Sequence, residues 1–218
     1  MNHSTARTVL LDLGYLESFA EAAREEYEAC TPEEPPCAFA VLIGSIGNDV
    51  AVIERIEFAA NVRAVDQAAL EEFSAVVAPC FGAAYRNPGR GFWCSPQDLL
   101  RIHRQAAKED LDILGSIHLH PDWHRIGPPK EQGLRISERP TPMDEYMFRN
   151  TGYPVNMICY MESVDGEVSA TLAAWGPPPG DLPDGHCSEL AVKFRVGERR
   201  PEVPGRIAGS ELRVADRS

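Results

Sequence analysis

The feature that most constrains the fold is a hairpin signal in the second half of the chain. Two strand-like runs, Val155–Glu162 and Glu167–Trp175, flank Asp165-Gly166. A tight hairpin turn needs residues that tolerate positive φ, and Asp-Gly is such a pair. A second hairpin is predicted upstream. Ala38–Gly44 (AFAVLIG) is wholly apolar, as suits a strand covered on both faces. Val50–Phe58 alternates apolar with polar residues, and a turn at Ile46–Asp49 joins the two runs. A further alternating strand, Leu111–His120 (LDILGSIHLH), ends at Pro121.

Helical spacing accompanies these strands. Across residues 13–30, Leu16, Phe19, Ala20, Ala23 and Tyr27 fall on one face. The segment Thr31–Cys37 (TPEEPPC) ends that helix. A short helix is expected at 66–76, and a Gly- and Pro-rich loop at 79–95. Ser95-Pro96 then combines a capping side chain with a proline at the first helical position, starting a helix that runs to about Glu109. Another helix is expected from Pro142 to Thr151. The order is helix, strand, strand, helix, strand, helix, strand, strand, which reads as an α/β fold with a mixed central sheet and helices packed against it. Residues 1–176 read as one domain with an insertion at about 121–140. Residues 177–218 read as a linker, one extra strand near Leu190–Val196, and a frayed tail from Gly197.

Composition narrows the function. A chain of 218 residues fits one domain with insertions or tails. A formal net charge of −12 repels phosphate backbones and argues against nucleic-acid binding. The six cysteines form no CxxC pair and read as reduced thiols. No secretory leader and no apolar stretch of membrane-spanning length is evident. The expectation is a soluble cytoplasmic protein of unspecified oligomeric state.

The chemistry is concentrated in two short stretches. In His118-Leu119-His120-Pro121 the imidazoles are two residues apart on a strand, so both point to the same face and could reach one divalent ion. The bare pattern is equally compatible with two polar residues on a solvated face. In Thr141-Pro142-Met143-Asp144, threonine fits the cap and aspartate the third helical position. That arrangement explains both residues without a metal. It also holds the carboxylate rigid, as a metal ligand requires.

Taken together, GSIHLHP, RPTPMDEYMF and TGYPVNMICYMES resemble the JAMM motif of the MPN/Mov34/PAD-1 family, in its prokaryotic branch. The matching residues are His118, His120, Pro121, Thr141 and Asp144. The resemblance spans roughly residues 10–175 and implies an MPN (cytidine-deaminase-like) fold, a mixed central sheet flanked by helices. It implies Zn2+ held by His118, His120 and Asp144, with water in the fourth position. It also implies a glutamate base and an oxyanion-steadying role for Thr141.

Two departures from that pattern matter. Counting back seven residues from Gly44, where the family places its glutamate, lands on Cys37. Glu33 and Glu34 lie just upstream, and Glu34 becomes the candidate base if Pro35-Pro36 carries it back to the metal. Cys37 reads as a buried thiol or as a thiolate near the zinc. The second departure is the insertion between His120 and Thr141, which supplies Asp122 and His124, along with Glu131 and Glu138, as substitutes near the metal.

The implied function is zinc-dependent hydrolysis of an isopeptide, peptide or amide bond. The implied partner is a ubiquitin-like or sulfur-carrier protein with a GlyGly tail, held by strand addition along a sheet edge. Two alternatives stay open, the first suggested by the displaced glutamate and the second by the long insertion. One is a catalytically silent binding module; the other is a zinc amidohydrolase acting on a small amide.

Overall fold

The computed structural model describes residues 6–123, 139–179 and 185–195, with the backbone of 212–214. The chain opens with a short strand, β1 (Thr8–Asp12), that runs directly into α1 (Leu13–Ala29). Asp12 ends the strand and caps the helix, its Oδ1 accepting the Gly14 N–H at 2.9 Å. The hairpin β2 (Phe39–Gly47) and β3 (Val50–Phe58) follows. Its turn residues Asn48 and Asp49 have φ of 51° and 62°, which suits the twist of the two strands.

The next segment is broken into α2 (Gln67–Glu72), a π turn (Phe73–Val77), α3 (Ala78–Phe81) and a 3-10 turn (Ala83–Arg86). Regular structure resumes with α4 (Pro96–Ala107), capped by Ser95 Oγ, and β4 (Asp112–Pro121). Then come α5 (Pro142–Thr151), β5 (Val155–Val164) and β6 (Glu167–Trp175), joined through Asp165 and Gly166 at φ 53° and 85°. β7 (Glu189–Arg195) and β8 (Leu212–Val214) complete the described strands.

The strands do not form the expected central layer. Their order is β5-β4-β2-β3-β1-β7-β6, and β5 pairs with β6 to close the ring, with β8 added alongside β6. The result is a closed, mixed seven-stranded barrel with few helices. This corrects the expectation of an MPN-type α/β sheet flanked by helices. The pairings that close the ring are the parallel ones on both sides of β1, to β3 and to β7, and the two-residue contact of β7 with β6 at Ala174 and Trp175. β1 is five residues long and abuts a helix, so its strand character is masked in the sequence.

All seven strands send side chains into one core. Val9, Leu42, Ile53, Ile117, Met157, Leu172 and Leu190 pack there together with Leu16, Phe19, Ala23 and Tyr27 of α1. Full burial of a Leu, Ile, Met or Phe side chain contributes about 1.5–3 kcal/mol. The outer face is covered in patches: α4 lays Ile102 and Ala106 on Val41 and Ile43 of β2, and α5 lays Phe148 on Ile158 and Tyr160 of β5.

One detail of β4 departs from simple alternation, which predicts Ile113 on the same face as Ile117 and Leu119. The β2–β4 register shifts between Leu42 and Ile43, so Leu114 turns into the barrel and Ile113 joins the outer face. At this irregularity β4 and β5 approach so closely that a Cβ on Gly115 would lie 1.5 Å from the Val155 carbonyl oxygen. Only glycine fits.

Candidate metal centre

The outer face of β4 carries Ser116, His118 and His120, while Ile117 and Leu119 point into the core. β4 is paired on both sides through His118, with Phe39 of β2 opposite on one side and Ile158 of β5 on the other. His120 lies beside Tyr160 in the same ladder. Ring contacts fix the imidazole planes further. Phe148 meets His118 at a centroid distance of 6.0 Å, and Tyr160 meets His120 nearly perpendicularly at 5.5 Å.

Asp144 arrives from the first turn of α5. A complete capping box fixes it: Thr141 Oγ1 accepts the Asp144 N–H, and the Asp144 carboxylate accepts the Thr141 N–H at 2.7 Å. The Thr141 hydroxyl also donates to Asp144 Oδ2 at 2.7 Å. Threonine therefore spends its proton on the carboxylate and orients it.

These elements bring three donor atoms to one point. His118 Nε2 and His120 Nε2 are 3.0 Å apart, and each lies 3.3 Å from an oxygen of Asp144. The two contacts go to different oxygens, Oδ1 for His118 and Oδ2 for His120, and one ligand atom from each residue lies within 4.8 Å of the others, close enough to share one ion. Among the described residues, this is the group of His, Cys, Asp and Glu side chains close enough to hold a metal. Side-chain exposures of 18%, 11% and 9% leave the triad shielded yet open on one side.

The electrostatics agree with a cation site. Burial pushes the His118 pKa down, against the pull of Asp144, which favours the neutral imidazole that binds metal. Burial alone would raise the Asp144 pKa, but the charges and hydrogen bonds of His120 and His118 outweigh it and hold the carboxyl well below its ordinary range. His120 Nδ1 is buried with no partner among the described residues.

The other expected residues are placed differently. Glu33 and Glu34 are exposed, and their backbone carbonyls accept from the Asn87 side chain and the Thr31 N–H. The two prolines do turn the chain back, but they deliver Cys37 to the site's cavity and leave both carboxylates outside its wall. The Cys37 N–H donates to Glu26 Oε2, and its sulfur accepts from Asn61 Nδ2 at 3.4 Å. Burial, with a smaller push from Glu26, raises the Cys37 thiol above its ordinary pKa despite that hydrogen bond. Asp122 is fully buried and accepts the Ser163 N–H at 3.3 Å, tying the end of β4 to β5, and it is not in the cavity wall. His124, Glu131 and Glu138 lie outside the described residues.

A cavity of about 690 Å3 opens onto the triad. Much of its wall comes from the irregular stretch read only as loop, including Arg90, Phe92 and Trp93. Asn61 organises this wall. Its Oδ1 accepts the N–H groups of Arg63 and Trp93, and its Nδ2 donates to the Gly91 carbonyl. No periodicity marks these residues in the sequence. Phe39 lines the cavity because the β2–β4 ladder puts it opposite His118, a pairing that the sequence alone does not reveal.

Among the described residues no helix is long and apolar enough to cross a membrane. No protein-family model matches the sequence. No curated protein matches it significantly. Two solution structures share some of its path. A protein of Desulfitobacterium hafniense is 16% identical, with a TM-score of 0.49 over 86% of this chain and 93% of its own. A protein of Salinibacter ruber is 17% identical, with a TM-score of 0.40 over 88% of this chain and 94% of its own. Both scores are below 0.5, too low for either likeness to assign a fold.

Proposed function

We propose that the chain is a zinc-dependent hydrolase that opens an amide bond in a small substrate. The observation that carries this reading is the convergence of His118 Nε2 and His120 Nε2, 3.0 Å apart, on the Asp144 carboxylate, whose Oδ1 lies 3.3 Å from the first and whose Oδ2 lies 3.3 Å from the second. Two imidazoles and one carboxylate form a donor set suited to zinc, and three protein ligands are typical where zinc is catalytic. The JAMM-like motifs His118-x-His120-Pro121 and Thr141-x-x-Asp144, though set apart by the insertion, support the same chemistry. A divalent ion held by His118, His120 and Asp144 would lower the pKa of a water and polarise a carbonyl.

The protein's own groups have separable tasks. His118 and His120 donate neutral nitrogens from a strand paired on both sides, and Asp144 supplies the negative charge. Thr141 orients Asp144. The apolar wall limits water around the scissile bond, which strengthens every charge interaction there. Apart from Asp144, no carboxylate lines the described cavity. The six cysteines form no disulfide, which fits a reducing compartment, and we place the protein in the cytoplasm.

A small amide fits better than a diglycine tail held by strand addition. Strand addition needs an unpaired edge, and both edges of β4 are occupied through His118. The test is metal analysis of the purified protein and of the His118→Ala/His120→Ala variant, followed by amine release from small N-acyl amides and from a protein fused through a GlyGly tail. About one zinc per chain in the parent and none in the variant is expected, with turnover of the small amides. A parent that takes up no zinc refutes the reading, and turnover of the GlyGly fusion alone refutes the substrate assignment.

A further inference from the structure

The wall of the cavity beside the triad has a marked chemical character. Its volume of about 690 Å3 is in the range of pockets that enclose a small organic molecule. Phe39 from β2 and Phe92 from the irregular segment stack with centroids 3.8 Å apart and planes within 11°, giving a flat aromatic wall. Leu99 of α4 extends the apolar surface, and Met143 and Met147 of α5 add flexible thioethers that adapt to varied shapes.

Charge is nearly absent from this wall. The chain carries a net charge of −12, yet Asp144 is the one carboxylate among the described lining residues. A cationic ligand therefore finds no carboxylate there beyond Asp144, and the guanidinium of Arg90 already lies over the Tyr85 and Trp123 rings, at 4.7 and 4.0 Å. Arg90 is the one described lining cation outside the triad. The thiols of Cys37 and Cys94 also line the cavity, and burial keeps both protonated at neutral pH, that of Cys94 with a pKa pushed up to about 11.

We infer that this cavity is a subsite for an uncharged aromatic group, so that the substrate is a small amide carrying a neutral aryl substituent beside the scissile bond. The aromatic wall, the adaptable methionines and the scarcity of charge each favour a flat apolar group over a peptide tail, whose backbone would demand polar partners. The assignment rests on the hydrolase reading for the bond that breaks, but not for the binding of the aromatic group.

The experiment compares acetamide, cyclohexylacetamide and phenylacetamide as ligands of the full chain by NMR and calorimetric titration. It uses the zinc-loaded protein, the His118→Ala/His120→Ala variant and Leu99→Trp, which fills the cavity. Phenylacetamide is expected to bind at least about tenfold more tightly than acetamide, with a negative heat-capacity change from buried apolar surface. The preference should persist in the double-histidine variant and disappear in Leu99→Trp, with the zinc content of Leu99→Trp unchanged. Equal binding of acetamide and phenylacetamide by a protein that retains zinc overturns the subsite and leaves the hydrolase reading standing. Aryl preference in a protein that takes up no zinc does the reverse. The ligand series decides the matter even if Leu99→Trp does not fold.

Discussion

Asp144→Asn separates the two roles that the structure assigns to one carboxylate. Asn keeps an oxygen that can accept the Thr141 N–H, so the capping box is weakened and not abolished. Losing part of a cap costs about 0.5–1 kcal/mol, and losing a negative charge at a helix N-terminus costs about 0.3–1 kcal/mol. The metal-free variant should therefore be about 1–2 kcal/mol less stable, or about 2–8 °C lower in Tm for a chain of this size. Zinc should separate the proteins far more. A ligand at 100 times its Kd stabilises the folded state by about 2.7 kcal/mol, which raises the parent's Tm by about 5–11 °C. The variant offers two neutral nitrogens and no charge, and should gain almost nothing. The assay is differential scanning calorimetry of both proteins after chelation and after zinc addition. If zinc raises the variant's Tm as much as the parent's, Asp144 is not a ligand and the triad is only a hydrogen-bonded cluster.

Two further outcomes are expected. Gly115→Ala would set a Cβ 1.5 Å from a backbone oxygen of β5, so β4 and β5 must part by more than 1 Å to restore contact distance; unfolding below about 37 °C or loss of zinc retention is expected, and a variant with parental Tm and zinc content would refute the close approach. Alkylation at pH 7.5, followed by mass spectrometry, should label the exposed Cys80 well before Cys159, which is buried with its pKa pushed up to about 12; equal rates would show that the barrel interior opens readily.

What was legible in the sequence follows the range of the interaction that decides it. Both hairpins depend on turn residues that accept positive φ, and Asn48, Asp49, Asp165 and Gly166 adopt it. Helix starts depend on side chains reaching a turn ahead, so Ser95 and Thr141 were readable as caps. The metal ligands combine two such local geometries, a pair of alternate residues on a strand and a capping carboxylate. Barrel closure depends instead on parallel pairings between distant segments, β1 with β3 and β7, and β4 with β5. No local pattern encodes those. The misplacement of Ile113 has a similar origin, because the bulge that reverses its direction appears only when β2 and β4 are paired. The glutamate expectation failed over a short distance, since Pro35 and Pro36 are buried and bring Cys37 inward while Glu33 and Glu34 remain in solvent.

The architecture separates the group that could hold a metal from the cavity wall beside it. His118 stands where β4 has neighbours on both sides, His120 is paired with Tyr160 of β5, and Asp144 is fixed by three hydrogen bonds with Thr141. Such donors need little reorganisation on binding an ion, which favours affinity and geometry together. The cavity wall is a different kind of structure. Residues 91–93 lie outside the named strands, next to the isolated bridge of Asn61 with Cys94, and are held by the Asn61 side chain, by the Val62 N–H donated to the Trp93 carbonyl and by the stack of Phe92 on Phe39. A wall of that kind can change in sequence without disturbing the triad. The pairings of β4 with β2 and β5 occupy both of its edges through His118, so no free edge remains there for strand addition, and the cavity is the open surface beside the triad.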